Sequence, residues 1–255
     1  GTNFLKKHIV QSCSFLNKLI DGGLKYCLLR EDFIEHDIFL KVIDMINNYI
    51  NNNKWSVEMR YLITFAYDGS KYKGYQKQPR VKTIQGELER ALKEINNDKQ
   101  VDVSASGRTD AKVHAYNQKA HFDLDIKITC DKLNSLIPGD IYVKSVVEVK
   151  DDFHARFNVK AKEYIYKINM GEYNPLEKDY VYQYNKRLEL VEMERALKYL
   201  EGEHDFKSFS KADDEKEDYV RTIIQTNIIR EIKDVNHFTI SFLGTGFLRY
   251  QVRNM

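Results

Sequence analysis

Ser106-Gly107-Arg108-Thr109-Asp110-Ala111-Lys112-Val113-His114-Ala115 stands between two strand-like runs, and its reading decides how the rest of the chain is arranged around it. Before it, Val101-Asp102-Val103-Ser104-Ala105 alternates with a period of two. After it, Gln118-Lys119-Ala120-His121-Phe122 does so more weakly, so both flanks read as extended chain. Gly107 is expected to supply backbone angles that a side chain forbids. The loop sets an arginine and an aspartate two residues apart. A guanidinium beside a carboxylate favours the charged form, and a charged carboxylate can serve as a nucleophile. The same residues also fit a structural Arg–Asp pair in a turn, the commoner use of such pairs.

Working outward, Arg60 to Tyr67 reads as a strand with Tyr61, Ile63, Phe65 and Tyr67 on one face and Leu62, Thr64 and Ala66 on the other. It ends at the turn pair Asp68-Gly69. Thr83 is a helix N-cap, followed by Ile84, Leu88, Ala91, Leu92 and Ile95 on one stripe. A short helix is expected from Asp131 to Ile137, stopped by Pro138-Gly139. Tyr142 to Val149 and Lys162 to Met170 read as strands, Val191 to Leu200 as an amphipathic helix, and Thr222 to Glu231 with Phe238 to Leu243 as a further strand pair. The architecture implied is α+β, with two tandem β-α-β-type halves, 59–160 and 161–255, whose antiparallel sheets are covered by helices on one face and meet at a central cleft.

Residues 1–58 have a different character. Phe4, Ile9, Phe15, Leu16 and Leu19 suggest one amphipathic helix, and Phe33, Ile38, Phe39, Val42, Ile43, Ile46 and Ile50 a second, so this segment reads as a helical N-terminal extension. The run Asp213-Asp214-Glu215-Lys216-Glu217-Asp218 has no apolar period and reads as a loop.

The 255 residues are 42% hydrophobic and 31% charged, with a formal net charge of +2, which fits an ordinary globule. No apolar run reaches the ~18 residues of a membrane span and no signal peptide opens the chain, so a cytoplasmic location is expected. Cys13, Cys27 and Cys130 are too scattered for a disulfide framework or a zinc site. His114, His121 and His154 have no metal-ligand spacing, and neither GxGxxG nor a P-loop is present, so no metal and no cofactor are expected. One segment is distinctly basic. Lys71, Tyr72, Gln76, Lys77, Arg80 and Lys82 alternate cations with an aromatic and an amide, a pattern that suits RNA phosphates and splayed bases and equally a solvated lysine loop.

Eight segments in register resemble the TruA family of tRNA pseudouridine synthases. Tyr67-Asp68-Gly69-Ser70-Lys71-Tyr72-Lys73-Gly74-Tyr75-Gln76-Lys77-Gln78 is similar to the family's first loop, and Gly107-Arg108-Thr109-Asp110 with Val113-His114-Ala115 to its signature. Pro138-Gly139-Asp140, Asp152-Phe153-His154-Ala155-Arg156-Phe157, Lys162-Glu163-Tyr164-Ile165-Tyr166, Gly202-Glu203-His204-Asp205-Phe206, Val220-Arg221-Thr222-Ile223 and Phe247-Leu248-Arg249-Tyr250-Gln251-Val252-Arg253-Asn254-Met255 complete the match. The resemblance implies a homodimeric isomerase that converts uridine to pseudouridine in the tRNA anticodon arm, at positions 38, 39 and 40, without a cofactor. By the same resemblance Asp110 is the catalytic carboxylate, and Arg253 is its ion-pair partner. Tyr164 lies on the target base, where the residues alone fit a core strand tyrosine as well, and Arg108 holds the carboxylate or an RNA phosphate. A non-catalytic RNA-binding protein that kept the fold is the alternative.

Two departures stand near the site. Lys112 replaces a usual glycine, and Tyr75 a usual tryptophan. Family members also continue for several dozen residues past the point matching Met255, so a truncated second half is expected.

Overall fold

In the computed structural model, residues 58–211, 218–232 and 234–255 are described. The helical extension expected over 1–58 and most of the acidic run lie outside the described residues.

The first sheet has the order β2-β3-β1-β4, from β1 (Met59–Tyr67), β2 (Ser104–Ala105), β3 (Ala115–Leu124) and β4 (Ile141–Val149), all pairs antiparallel. Strand β1 is central, which explains its apolar alternation. Tyr61, Ile63, Phe65 and Tyr67 are buried, while Leu62, Thr64 and Ala66 are only half-buried. The buried face packs on α1 (Ile84–Ile95) and α2 (Cys130–Asn134), through Ile84, Leu88, Ala91, Leu92, Ile95 and Leu133. Each isoleucine or leucine of this set removed from water contributes about 1.5–3 kcal/mol before the entropy of ordering it is counted. Thr83 Oγ1 accepts from Gly86 N at 3.2 Å and starts α1. One charged residue shares this stripe. Glu89 is buried and satisfied by Lys77 Nζ at 2.8 Å, Gln85 Nε2 at 2.8 Å and Val103 N at 3.3 Å.

The second sheet has the order β6-β5-β9-β8-β7, from β5 (Lys162–Asn169), β6 (Tyr182–Gln183), β7 (Gly202–Asp205), β8 (Val220–Arg230) and β9 (His237–Gly244). Only the two-residue pairing of β5 with β6 is parallel. Ile168, Phe238, Ile240 and Phe242 pack against α3 (Leu190–Lys198) through Leu190 and Leu197, and Val252 of α4 (Gln251–Asn254) joins the same cluster.

Several boundaries differ from the sequence expectation. Of Val101 to Ala105 only Ser104–Ala105 pairs as strand, because Val101 and Val103 turn into the first core instead. Helix α2 is shorter than expected, since Ser135 and Leu136 already bond as turns. The α+β class with two largely antiparallel sheets stands.

Candidate active site

The loop from Ser106 to His114 leaves β2 and enters β3, and its first residues are fixed to the first sheet. Ser106 N donates to Lys119 O at 2.8 Å, Ser106 Oγ bonds Gln118 Oε1 at 2.8 Å, and Gln118 Nε2 donates to Gly107 O at 2.9 Å. Tyr67 Oη lies 2.8 Å from Thr109 Oγ1. The loop that follows β1 packs directly on this one. Tyr75 N donates to Thr109 O at 3.0 Å and Lys112 N to Tyr72 O at 3.3 Å. Such close backbone approach explains two glycines: a Cβ on Gly69 would lie 2.0 Å from Val113 O, and Gly74, at φ +100°, would place one 3.1 Å from Thr109 O. Gly107 is not in the left-handed region, contrary to expectation. Lys112 is, at φ +66°, and the glycine usual there in the resembling family has its reason in that backbone angle.

Asp110 meets the second half of the chain here. Arg253 Nη2 donates to Asp110 Oδ2 at 2.7 Å, and both side chains stay about half exposed. The Arg253 guanidinium also lies 4.9 Å from the centroid of Tyr250, whose ring limits where it can swing. Tyr164, on β5, stands edge-to-face with Phe247 at 5.1 Å between centroids. Burial pushes its phenol up, and the Asp110 charge acts in the same direction, so the protonated form is favoured. A tyrosine in that state is ready to donate a proton and slower to accept one. Tyr166, two residues along the same strand face, was not singled out by the sequence. Burial pushes its phenol up, Arg253 opposes this and Asp110 adds to it, so it belongs to the same cluster. Its period-two spacing from Tyr164 was the available signal.

The remaining expected residues separate into distinct surroundings. Arg108 does not hold Asp110. Its Nη1 donates instead to Gln76 Oε1 at 2.7 Å. Lys71 lies 3.6 Å from Asp140 and remains largely exposed, and Arg80 is exposed at φ +63°. Lys77 neutralises the buried Glu89. Tyr72, expected to stack on RNA, is only 1% exposed. Burial and the nearby Asp140 push its phenol up to about 12, and Lys82 covers its ring at 4.8 Å, so Tyr72 is a core residue. Tyr75 is buried too, with a hydroxyl that has no hydrogen-bond partner among the described residues, and burial pushes it upward.

The histidines are used in packing. His121 accepts from Ala155 N at 3.1 Å, and burial pushes it down. His114 Nδ1 accepts from Gly69 N at 3.2 Å and lies 3.0 Å from Asp68 Oδ1, while its Nε2 faces Asp179 O at 2.8 Å. Desolvation works against the charge on Asp68, but hydrogen bonds from Ser70 and Tyr180 and the nearby His114 outweigh it and hold the carboxyl at about 2. Near the far end of the second sheet, His237 sits between Asp234 at 2.8 Å and Glu177 at 2.9 Å.

A profile of the family described as tRNA pseudouridine synthase matches residues 63–158 and 196–255. The chain is similar to "tRNA pseudouridine synthase A" of Anoxybacillus flavithermus, with 45% identity over 198 residues, 76% of this chain and 79% of the relative. The protein of the same name from Geobacillus sp. is 43% identical over 199 residues, with the same coverage of both chains. That of Listeria monocytogenes is 42% identical over 199 residues, again 76% of this chain and 79% of the relative. Both matched stretches of the profile carry part of the geometry above, Asp110 in the first and Arg253 in the second, and the chain belongs to the tRNA pseudouridine synthase family.

Proposed function

We propose that this enzyme isomerises uridine to pseudouridine in tRNA, with Asp110 as the catalytic carboxylate. The observation that carries the reading is the 2.7 Å pair between Asp110 and Arg253, which lies within electrostatic reach of two strand tyrosines, Tyr164 and Tyr166. The reaction breaks the bond from ribose C1′ to N1, turns the base and joins C1′ to C5; the C5 proton leaves and N1 ends protonated. Atoms and charge balance without an oxidant or a nucleotide triphosphate.

The chain's residues divide this work. The Asp110 carboxylate assists loss of the glycosidic bond, either by attack at C1′ or by taking a sugar proton. Arg253 keeps that carboxylate charged and aimed. The face of Tyr164 stacks on the extruded base, and its protonated phenol can donate its proton to N1 once the glycosidic bond is broken, after which the phenolate can take the proton from C5. Arg108 and Gln76, joined to each other, present donors at the loop's outer side, and Lys71, Arg80 and Lys82 add positive charge along the neighbouring segment.

The substrate position in this proposal is the anticodon arm, at 38, 39 and 40, the assembly is a homodimer whose basic segments combine on one tRNA, and the compartment is the cytoplasm. The test is release of tritium from 5-tritiated uridine in tRNA, followed by mapping of the modified positions. Release from the anticodon arm is expected; release only from other arms refutes the assigned position.

A further inference from the structure

Among the described residues, three polar contacts from the second half of the chain reach the aspartate loop. Lys162 Nζ donates to Ser106 O at 2.6 Å at the loop's start, Arg253 meets Asp110 in its middle, and His114 Nε2 meets Asp179 O at its end. The second is a direct partner of the carboxylate. The first has no assigned role, and its chemistry is unusual for a lysine. The ammonium makes no ion pair among the described residues, and its one acceptor is a backbone carbonyl. Desolvation, with Arg156 nearby, pushes it below the ordinary lysine range. Withdrawing a cation from water without a counter-charge is costly, and a neutral side chain of similar length would avoid that cost.

The contact acts where it has most leverage. The N–H and hydroxyl of Ser106 are already bound to β3, so its carbonyl is the polar group left to tie the loop to another element. Lys162 belongs to β5 and lies two residues before Tyr164, on the same face of that strand. A charge-assisted bond of this length therefore joins the strand that carries Tyr164 to the loop that carries Asp110.

We propose that Lys162 is a positioning residue that holds the Asp110 loop and the Tyr164 strand in fixed register through the carbonyl of Ser106. The proposal rests on the function proposed above. Lys162 does not touch the reacting atoms; it sets the distance between two groups that do.

The test uses the full chain with Lys162→Met and Lys162→Arg, measured for turnover on tRNA and for amide hydrogen exchange. In Lys162→Met, kcat is expected to fall on the order of 10- to 100-fold, as for a displacement near 1 Å, with KM nearly unchanged. Exchange over 107–113 should quicken while β1 stays protected, and Lys162→Arg should recover part of kcat. Unchanged kcat, unchanged loop exchange, or a rise in KM alone overturns the proposal, the last because it marks a direct RNA contact. Should Lys162→Met unfold, Lys162→Gln, with a shorter neutral donor, supports the proposal by the same loop-limited exchange and overturns it if exchange is unchanged. Failure of the wild type to release tritium refutes the proposed function instead, and the exchange result still decides the role of Lys162 in holding the loop.

Discussion

Arg253 Nη2 and Asp110 Oδ2 lie 2.7 Å apart although 143 residues separate them, so the charged site exists only when both halves of the chain are folded together. Because both side chains are about half exposed, water screens the pair, and its share of folding stability is below about 1 kcal/mol. Its effect on chemistry is larger. Arg253→Ala is expected to lower kcat on the order of 100-fold while the unfolding midpoint moves little, and Arg253→Lys, which lacks the planar fork, should recover only part. Steady-state kinetics paired with thermal unfolding checks both statements.

Lys112 holds a left-handed backbone angle with a side chain attached. That conformation costs roughly 1–2 kcal/mol, of which the greater freedom of glycine in the unfolded chain returns a part. Lys112→Gly should therefore stabilise the protein by less than about 1 kcal/mol, a rise of up to ~4 °C in Tm. Calorimetry measures this directly. If the lysine also contacts tRNA, KM rises in the same variant.

His237 supplies a pH dependence. Burial opposes its charge, but the bonds to Glu177 and Asp234 outweigh burial and push its pKa up. The stabilisation is then fully present below the unfolded value of about 6.5 and is lost as pH rises through the raised folded value. His237→Gln is expected to lower Tm clearly at pH 6 and much less at pH 9. A pH series of unfolding curves checks the sign, since an equal loss at both pH values contradicts it.

The basic segment divides into surface and core. Lys71→Ala and Arg80→Ala should each weaken tRNA binding and reduce the slope of log K against log salt by about one. Tyr72→Ala should instead destabilise the fold by about 3–5 kcal/mol, because the ring is buried. Binding titrations at several salt concentrations, with unfolding curves, separate the two effects.

Regular elements were legible in the sequence where one period dominated. The alternation in β1 separated its two faces without saying which one the fold buries, and the 3.6-residue stripe marked the buried residues of α1 apart from Glu89. What periodicity cannot carry is the environment of a residue in a loop. Tyr72 and Tyr75 sit in an aperiodic, lysine-rich run, and only the packing of that run against the aspartate loop reveals that both rings are interior. The Asp110–Arg253 pair was accessible only through resemblance, since no local pattern links positions so far apart. For Arg108, nearness in sequence suggested a partner in Asp110, whereas its guanidinium bonds Gln76; the alternative role at an RNA phosphate is compatible with that contact. The Glu177–His237–Asp234 group and the Lys162 contact join segments without a shared pattern, and neither had a sequence signal.

The central claim is that Asp110 performs the chemistry. Tritium release from 5-tritiated uridine in tRNA, compared between the wild type and Asp110→Asn with tRNA binding measured alongside, tests it most directly. The wild type should release tritium, and Asp110→Asn should lose activity on the order of 1,000-fold or more while still binding tRNA. Release by Asp110→Asn at a rate near that of the wild type would contradict the assignment.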